Sequence, residues 1–255
     1  MDGWTFSEDE IDIQERPEID RWIISLLNTL VKEVGENYKD YEPTRAGRLI
    51  QEFVTENLSN WYVRLNRKRY WGGEMIPDKQ SAYQTLYTCL VTVTKLMSPI
   101  APFYADKFFM DLNEVTKKEK FSSVHLSDFP AVNESVVDKD LEEKMDIAQK
   151  VSSMVLALRR KVNIKVRQPL NKIMIPAMED NFEEKFRAVE NLILSEVNVK
   201  EVEFLKDTKG ILVKKTKPDF KKLGPKYGKL MKQIAQAIST MSQDDIASFE
   251  QEGSF

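Results

Sequence analysis

The stretch Ser59-Asn60-Trp61-Tyr62-Val63-Arg64-Leu65-Asn66-Arg67-Lys68-Arg69-Tyr70-Trp71 decides the fold. Trp61, Tyr62 and Leu65 continue a stripe begun by Leu49, Ile50, Phe53, Val54 and Leu58, the spacing of one face of an amphipathic helix. Pro43 opens that helix, since its fixed φ suits a first helical position, and the Gly72-Gly73 pair closes it. Arg64, Arg67, Lys68 and Arg69 interleave with the aromatic rings. Single-stranded RNA calls for this mixture, because bases stack on aromatic or guanidinium planes while Lys and Arg neutralise phosphates. Trp61 falls on the core stripe, and Arg67, Lys68 and Arg69 are expected to be exposed.

Outward from this segment the helical period persists. Pro17, with Glu18 and Asp20 in the first turn, starts a helix carrying Ile19, Trp22, Ile23, Leu26, Leu27, Leu30, Val31 and Val34. Downstream, Pro77-Asp78 starts a helix with Tyr83, Leu86, Leu90, Val93 and Met97 on one stripe, stopped by Ser98-Pro99. A shorter helix covers about 101–112. Asp138 caps a fifth, whose stripe is Leu141, Met145, Ala148, Val151, Val155, Leu158 and Val162. Short connections imply an antiparallel bundle. After Val162 the pattern predicts a strand over 170–175, a helix over 181–195, an irregular strand through Val197, Val199, Val202 and Phe204, and a third strand over 211–215. A helix over 225–241 follows, and Ser242 with Asp245 caps a last turn or two. The fold class is therefore mainly α: an antiparallel helical bundle followed by a small α+β or βαβ-type unit. The organisation expected is an acidic lead-in over 1–16, the bundle over 17–162 and the α+β domain over 163–255.

Composition narrows the chemistry. Among 255 residues there is one cysteine, Cys89, and one histidine, His125. An internal disulfide framework, a Cys/His zinc site and most nucleophile–His catalysis are thereby excluded. The acidic start lacks a basic n-region and an apolar h-region, so it does not read as a signal peptide, and a cytoplasmic location is expected. Gly224-Pro225-Lys226-Tyr227-Gly228-Lys229-Leu230 has three residues between its glycines and Leu230 where a magnesium-binding hydroxyl is needed, so it is not a phosphate-binding loop.

The net charge of -3 hides an asymmetry. Residues 1–20 carry -7 and 244–255 carry -4, which leaves +8 for the chain between them. Lys150, Arg159, Arg160, Lys161, Lys165, Arg167 and Lys172 follow one another with no acid among them, and ten lysines lie between Lys206 and Lys232 against Asp207 and Asp219. Such blocks suit a polyanionic partner.

The quoted segment resembles a helix in the anticodon-binding bundle of class I aminoacyl-tRNA synthetases, in their isoleucine/valine/leucine branch. Other matches fall in the same order. Arg16-Pro17-Glu18-Ile19-Asp20-Arg21-Trp22-Ile23 resembles the helix that opens that bundle, Ser98-Pro99-Ile100-Ala101-Pro102-Phe103 its Ala-Pro-Phe turn, and Ser123-Val124-His125-Leu126 with Phe129-Pro130 its closing segment. Lys165-Val166-Arg167-Gln168-Pro169-Leu170, Lys217-Pro218-Asp219-Phe220 and Leu223-Gly224-Pro225-Lys226 are similar to the isoleucine-specific members in particular.

The resemblance implies a C-terminal piece of an ATP-dependent ligase of isoleucine to its tRNA, with the anticodon stem-loop as partner. The family's His-Ile-Gly-His-type and Lys-Met-Ser-Lys-Ser-type motifs do not occur in this sequence. The piece alone is thus expected to be catalytically inactive, a monomer without catalytic or metal-binding residues, ATP and zinc belonging to the missing domains. The RNA-contact candidates are Arg64, Arg67, Lys68, Arg69 and Trp71; Arg159, Arg160, Lys161, Lys165 and Arg167; and Lys214, Lys215, Lys221, Lys222 and Lys226. Two alternatives stand beside this reading. One is a helical protein-interaction module whose exposed aromatics dock on the missing catalytic domain. The other is the same region of the sister valine enzyme, which typically ends in a long coiled coil; no heptad stretch of that kind is present.

Overall fold

The computed structural model describes residues 9–71, 73–176, 181–205, 216–242 and 245–246. The chain divides into two compact units, residues 1–155 with 188–193, and residues 156–187 with 194–255.

In the first unit, helix α1 (Glu18–Lys39) follows Pro17 and has Glu18 and Asp20 in its first turn, where negative charge opposes the helix dipole. It buries Trp22, Ile23, Leu27, Leu30, Val31 and Val34. Helix α2 (Pro43–Glu52) packs on α1 and continues into a π-helical segment, Phe53–Val63. A π-helix bonds i to i+5 and repeats more slowly than an α-helix. Phe53 and Leu58 therefore share the buried face although they lie five residues apart, while Val54 and Leu65, assigned to the stripe by the 3.6-residue period, are only half-buried. The helix breaks at Asn66, whose side chain donates back to the Tyr62 carbonyl (2.8 Å) and whose own carbonyl receives the Arg69 N–H (2.9 Å), starting the short α3 (Arg67–Trp71).

Helix α4 (Pro77–Met97) buries a face different from the expected one. Ser81, Ala82, Thr85, Cys89 and Leu96 are inside, while Tyr83, Leu86, Leu90 and Met97 are half-buried. Polar neighbours explain the choice. The Gln84 side chain bonds both ways with the lead-in, accepting from the Ile11 N–H (3.0 Å) and donating to the Asp9 carbonyl (3.0 Å). Arg16, almost fully buried, donates to Thr85 Oγ1 (3.0 Å) and, from Nε and Nη2, to the Ile11 carbonyl (3.0 and 2.9 Å). Residues 9–16 are thus fastened along α4.

Helix α5 (Pro102–Thr116) packs on α4 through a cluster of Val91, Ala105, Phe109 and Val124. Asp106 secures the following loop by accepting from Ser123 Oγ (2.6 Å) and the Val124 N–H (3.0 Å), bonds that hold its carboxyl below the usual range. Asp138 caps α6 (Lys139–Lys161) by accepting from the Leu141 N–H at 2.9 Å, and Glu142 ties α6 to α1 through Ser25 (2.6 Å) and Thr29 (2.8 Å).

The second unit contains a βαβ element. Strands β1 (Leu170–Pro176) and β2 (Val199–Leu205) are parallel, with Ile173 opposite Val202 and Ile175 opposite Phe204, and α7 (Phe182–Val197) connects them. The pairing of β2 keeps one register, where an irregularity was expected, because Val197, assigned to the strand by its pattern, is the last residue of α7. Phe186, fully buried, meets the Phe204 ring edge-on at 5.2 Å. The helix expected over 225–241 starts earlier and is broken: α8 (Phe220–Tyr227), capped by Asp219, a 3-10 turn (Gly228–Leu230) and α9 (Met231–Ser239). Pro225 weakens the helix by lacking an N–H, and the backbone leaves the helical region two residues later at Tyr227 (φ -130°, ψ 25°). Ser242 and Asp245 cap each other reciprocally, as expected (2.9 and 3.1 Å). The expected strand over 211–215 lies outside the described residues.

Candidate nucleic-acid interface

The aromatic and basic segment separates into an anchored half and an exposed half. Tyr62 is fully buried and Trp61 nearly so. Around them forms a polar hub centred on Asp20, itself fully buried. Its Oδ1 accepts from Tyr62 Oη (2.7 Å) and Arg69 Nη1 (2.7 Å); its Oδ2 accepts from Arg69 Nη2 (2.8 Å) and Ser81 Oγ (2.6 Å). Arg69 also donates from Nε to Asp78 Oδ2 (2.9 Å) and from Nη1 to Asn66 Oδ1 (3.0 Å). A carboxylate this deep demands paired, hydrogen-bonded partners. Burial, the neighbouring Tyr70 and the Asp20 charge hold the Tyr62 hydroxyl well above its ordinary value of 10.0. Burial alone would lower the Arg69 guanidinium, yet its bonds to Asp20 and Asp78 raise it.

Arg69 is accordingly not an exposed cation, contrary to expectation: it joins the starts of α1 and α4. Its anchoring leaves Arg67 and Lys68 facing solvent with no ion-pair partner among the described residues, and Trp71 79% exposed. Arg64 is half-buried and donates from Nε to the Asn60 carbonyl one turn earlier (2.7 Å).

The second unit repeats the arrangement. Arg159, expected to contact RNA, is 2% exposed. Its Nη1 donates to the carbonyls of Lys165 (3.2 Å) and Gln168 (3.0 Å), and its Nη2 to that of Asn198 (2.9 Å). Asn198 in turn donates from Nδ2 to the Val166 carbonyl (2.8 Å), and Asn163 turns the chain in the left-handed region at φ 56°. Two buried or bonded side chains thus fix the loop between α6 and β1. On its outside stand Arg160, Lys161, Lys165 and Arg167, all exposed and without an ion-pair partner among the described residues. By contrast, the exposed Lys107, Lys150 and Lys172 elsewhere in the chain are each paired with a carboxylate.

Lys221, Lys222 and Lys226 line α8 and are exposed; the N–H groups of the first two satisfy the Asp219 cap. Lys214 and Lys215 lie outside the described residues. Stripe-based reading passed over residues at helix ends: Tyr41, just past α1, is 92% exposed, and Phe103 and Tyr104, in the first turn of α5, are 91% and 66% exposed. The signal for them was their place beside Pro43 and Pro102.

The structure shows a helical bundle stapled by a buried carboxylate and a βαβ unit preceded by a braced basic loop, and comparison gives the class. Residues 20–175 match the family model of the anticodon-binding domain of tRNA ligases, and the chain belongs to that family. Its relatives narrow this further. It is 61% identical over all of its 255 residues to the isoleucine–tRNA ligase of Bacteroides fragilis, 55% over 250 residues to that of Cytophaga hutchinsonii and 37% over 225 residues to that of Thermus thermophilus. These matches cover 100%, 98% and 88% of this chain and 22% of each relative, so the chain spans about a fifth of their length.

Proposed function

We propose that this chain is the part of an isoleucine–tRNA ligase that binds the anticodon arm of isoleucine tRNA. One observation carries the reading: in a chain of this family, the loop between α6 and β1 presents Arg160, Lys161, Lys165 and Arg167, with no ion-pair partner among the described residues, on a backbone fixed by Arg159. Exposed surface cations usually find a carboxylate or remain on mobile stems. Four of them on a braced loop suit a strand of phosphates, because bracing lowers the ordering cost of binding. Arg67, Lys68 and Trp71 on α3, and Lys221, Lys222 and Lys226 on α8, are further contact candidates. In this proposal the remainder of the parent, a monomer in the cytoplasm, joins isoleucine to the tRNA with ATP. The bound arm then sets where the acceptor end falls.

The test is a binding titration of the 255-residue chain with isoleucine tRNA and with the same tRNA bearing an altered anticodon, across a salt series. Tighter, salt-sensitive binding of the isoleucine anticodon supports the reading, equal binding of both removes its specificity, and salt-insensitive or absent binding overturns it. A second reading has its own support. The exposure of Trp71 beside the anchored Arg69 suits docking of α3 on another domain of the parent. Under that reading Trp71→Ala leaves tRNA affinity of this chain unchanged.

A further inference from the structure

We infer that one end of the first unit is a stacking surface for unpaired RNA bases, built from Tyr41, Phe103 and Tyr104 with Arg45 and Arg48. The inference rests on the tRNA-binding reading above and adds where bases, as distinct from phosphates, are held.

The turn after α1 carries the first observation. Glu42 N–H bonds the Asn37 carbonyl (2.8 Å) while Tyr41 sits at φ 58°, the left-handed helix ending that ordinarily takes glycine. A bulky residue there is an uncommon choice with a conformational cost. The cost brings no burial, since the Tyr41 side chain is 92% exposed. The first turn of α5 carries the second. Phe103 and Tyr104 are consecutive, 91% and 66% exposed, and the Tyr104 ring stacks on Phe108 at a centroid distance of 6.1 Å. The two turns belong to one surface: a Cβ added to Gly47 in α2 would lie 3.4 Å from Ile100 Cδ1, just before α5, and Tyr38 Oη donates to the Leu96 carbonyl (2.7 Å), joining the last turns of α1 and α4. On α2, between these turns, Arg48 is exposed without an ion-pair partner among the described residues, and Arg45, mostly exposed, has only a 3.9 Å contact with Glu42.

Three solvent-facing rings and two available guanidiniums supply what splayed bases require, π faces and planar cations that also meet phosphate. A duplex, whose bases are already stacked, offers nothing to these rings.

The experiment compares a hairpin RNA with a seven-nucleotide loop against a blunt duplex of the same stem, each titrated with the full chain and its variants. Phe103→Ala, Tyr104→Ala and Tyr41→Gly are expected to weaken hairpin binding by roughly 5- to 150-fold per base unstacked and to leave duplex binding and the salt slope unchanged, with the melting temperature preserved in the two alanine variants and not lowered in Tyr41→Gly, which relieves the left-handed turn. Phe103→Trp should restore hairpin affinity. Equal hairpin affinity for wild type and ring variants, with salt-dependent RNA binding intact, overturns this surface and leaves the tRNA reading standing. Loss of duplex and hairpin binding alike would show a folding defect or a purely electrostatic role and also overturns it. If wild type binds neither RNA, both readings fail.

Discussion

The carboxylate of Asp20 and the guanidinium of Arg69 meet in a two-pronged pair, Oδ1 to Nη1 at 2.7 Å and Oδ2 to Nη2 at 2.8 Å, with Asp20 sealed from solvent. Through it the first turn of α1 grips the short α3, and Ser81 and Asp78 bring in the start of α4. Removing Arg69 leaves the buried Asp20 charge without a cation, and removing the Asp20 charge leaves Arg69 with Asp78 alone. Asp20→Asn and Arg69→Met should therefore each lose about 3–5 kcal/mol of unfolding free energy in denaturant titrations. Arg69→Lys keeps the charge but not the fork and should fall between wild type and Arg69→Met. A loss under ~1 kcal/mol for all three would contradict the hub.

The Tyr62 hydroxyl gives the hub a pH signature. Its pKa is raised in the folded state, so folding retains the proton that the unfolded chain loses near 10.0. Stability is then fully present below that value and declines as pH rises beyond it toward the folded-state pKa. Denaturant midpoints measured between pH 8 and 11, buffered at ~0.5-unit steps, should fall in the upper part of that range. Tyr62→Phe should start lower, having lost the bond to Asp20, and fall less steeply. Parallel curves for the two proteins would exclude Tyr62 as the titrating group.

Asp138 closes the first turn of α6. Asp138→Ala should cost about 0.5–2 kcal/mol, as loss of an N-cap does, whereas Asp138→Ser should recover most of it. The same denaturant titration reads both.

Arg159 acts on the basic loop from inside. Arg159→Met keeps the apolar stem but strips the donors from the Lys165, Gln168 and Asn198 carbonyls. The expected cost is ~1–3 kcal/mol, with faster amide exchange confined to 162–168 and weaker tRNA binding. Arg160→Gln, on the outside of the same loop, should leave stability unchanged and weaken tRNA binding alone. If Arg159→Met altered stability but not binding, bracing of the loop would have no part in recognition.

Helix ends with chemical punctuation were readable from the sequence: Pro17 and Asp138 start α1 and α6 where expected, and the change of period after Val162 marked the βαβ unit. The π-helical segment was not: the 3.6-residue stripe placed Phe53, Leu58, Trp61 and Tyr62 inside, as found, but added Val54 and Leu65, which the wider repeat leaves half-buried. The inner face of α4 was misread for another reason. Ser81 and Thr85 are buried by polar partners, Asp20 and Arg16, that hydrophobic periodicity does not register. In the candidate site, Arg67, Lys68 and Arg69 are equivalent as letters, and only an acid 49 positions away distinguishes Arg69. Arg159 is set apart from Arg160 in the same way, by carbonyls brought together only by folding.

The most direct test neutralises the outside of the loop. The chain with Arg160, Lys161, Lys165 and Arg167 all changed to Gln is titrated against isoleucine tRNA over a salt series, beside wild type. The expected result is an unchanged melting temperature, weaker binding, and a slope of log K against log salt shallower by about 0.7–0.9 for each phosphate no longer neutralised, close to 3 for four. Coincident slopes and affinities for the two proteins would contradict the assignment of this loop to tRNA.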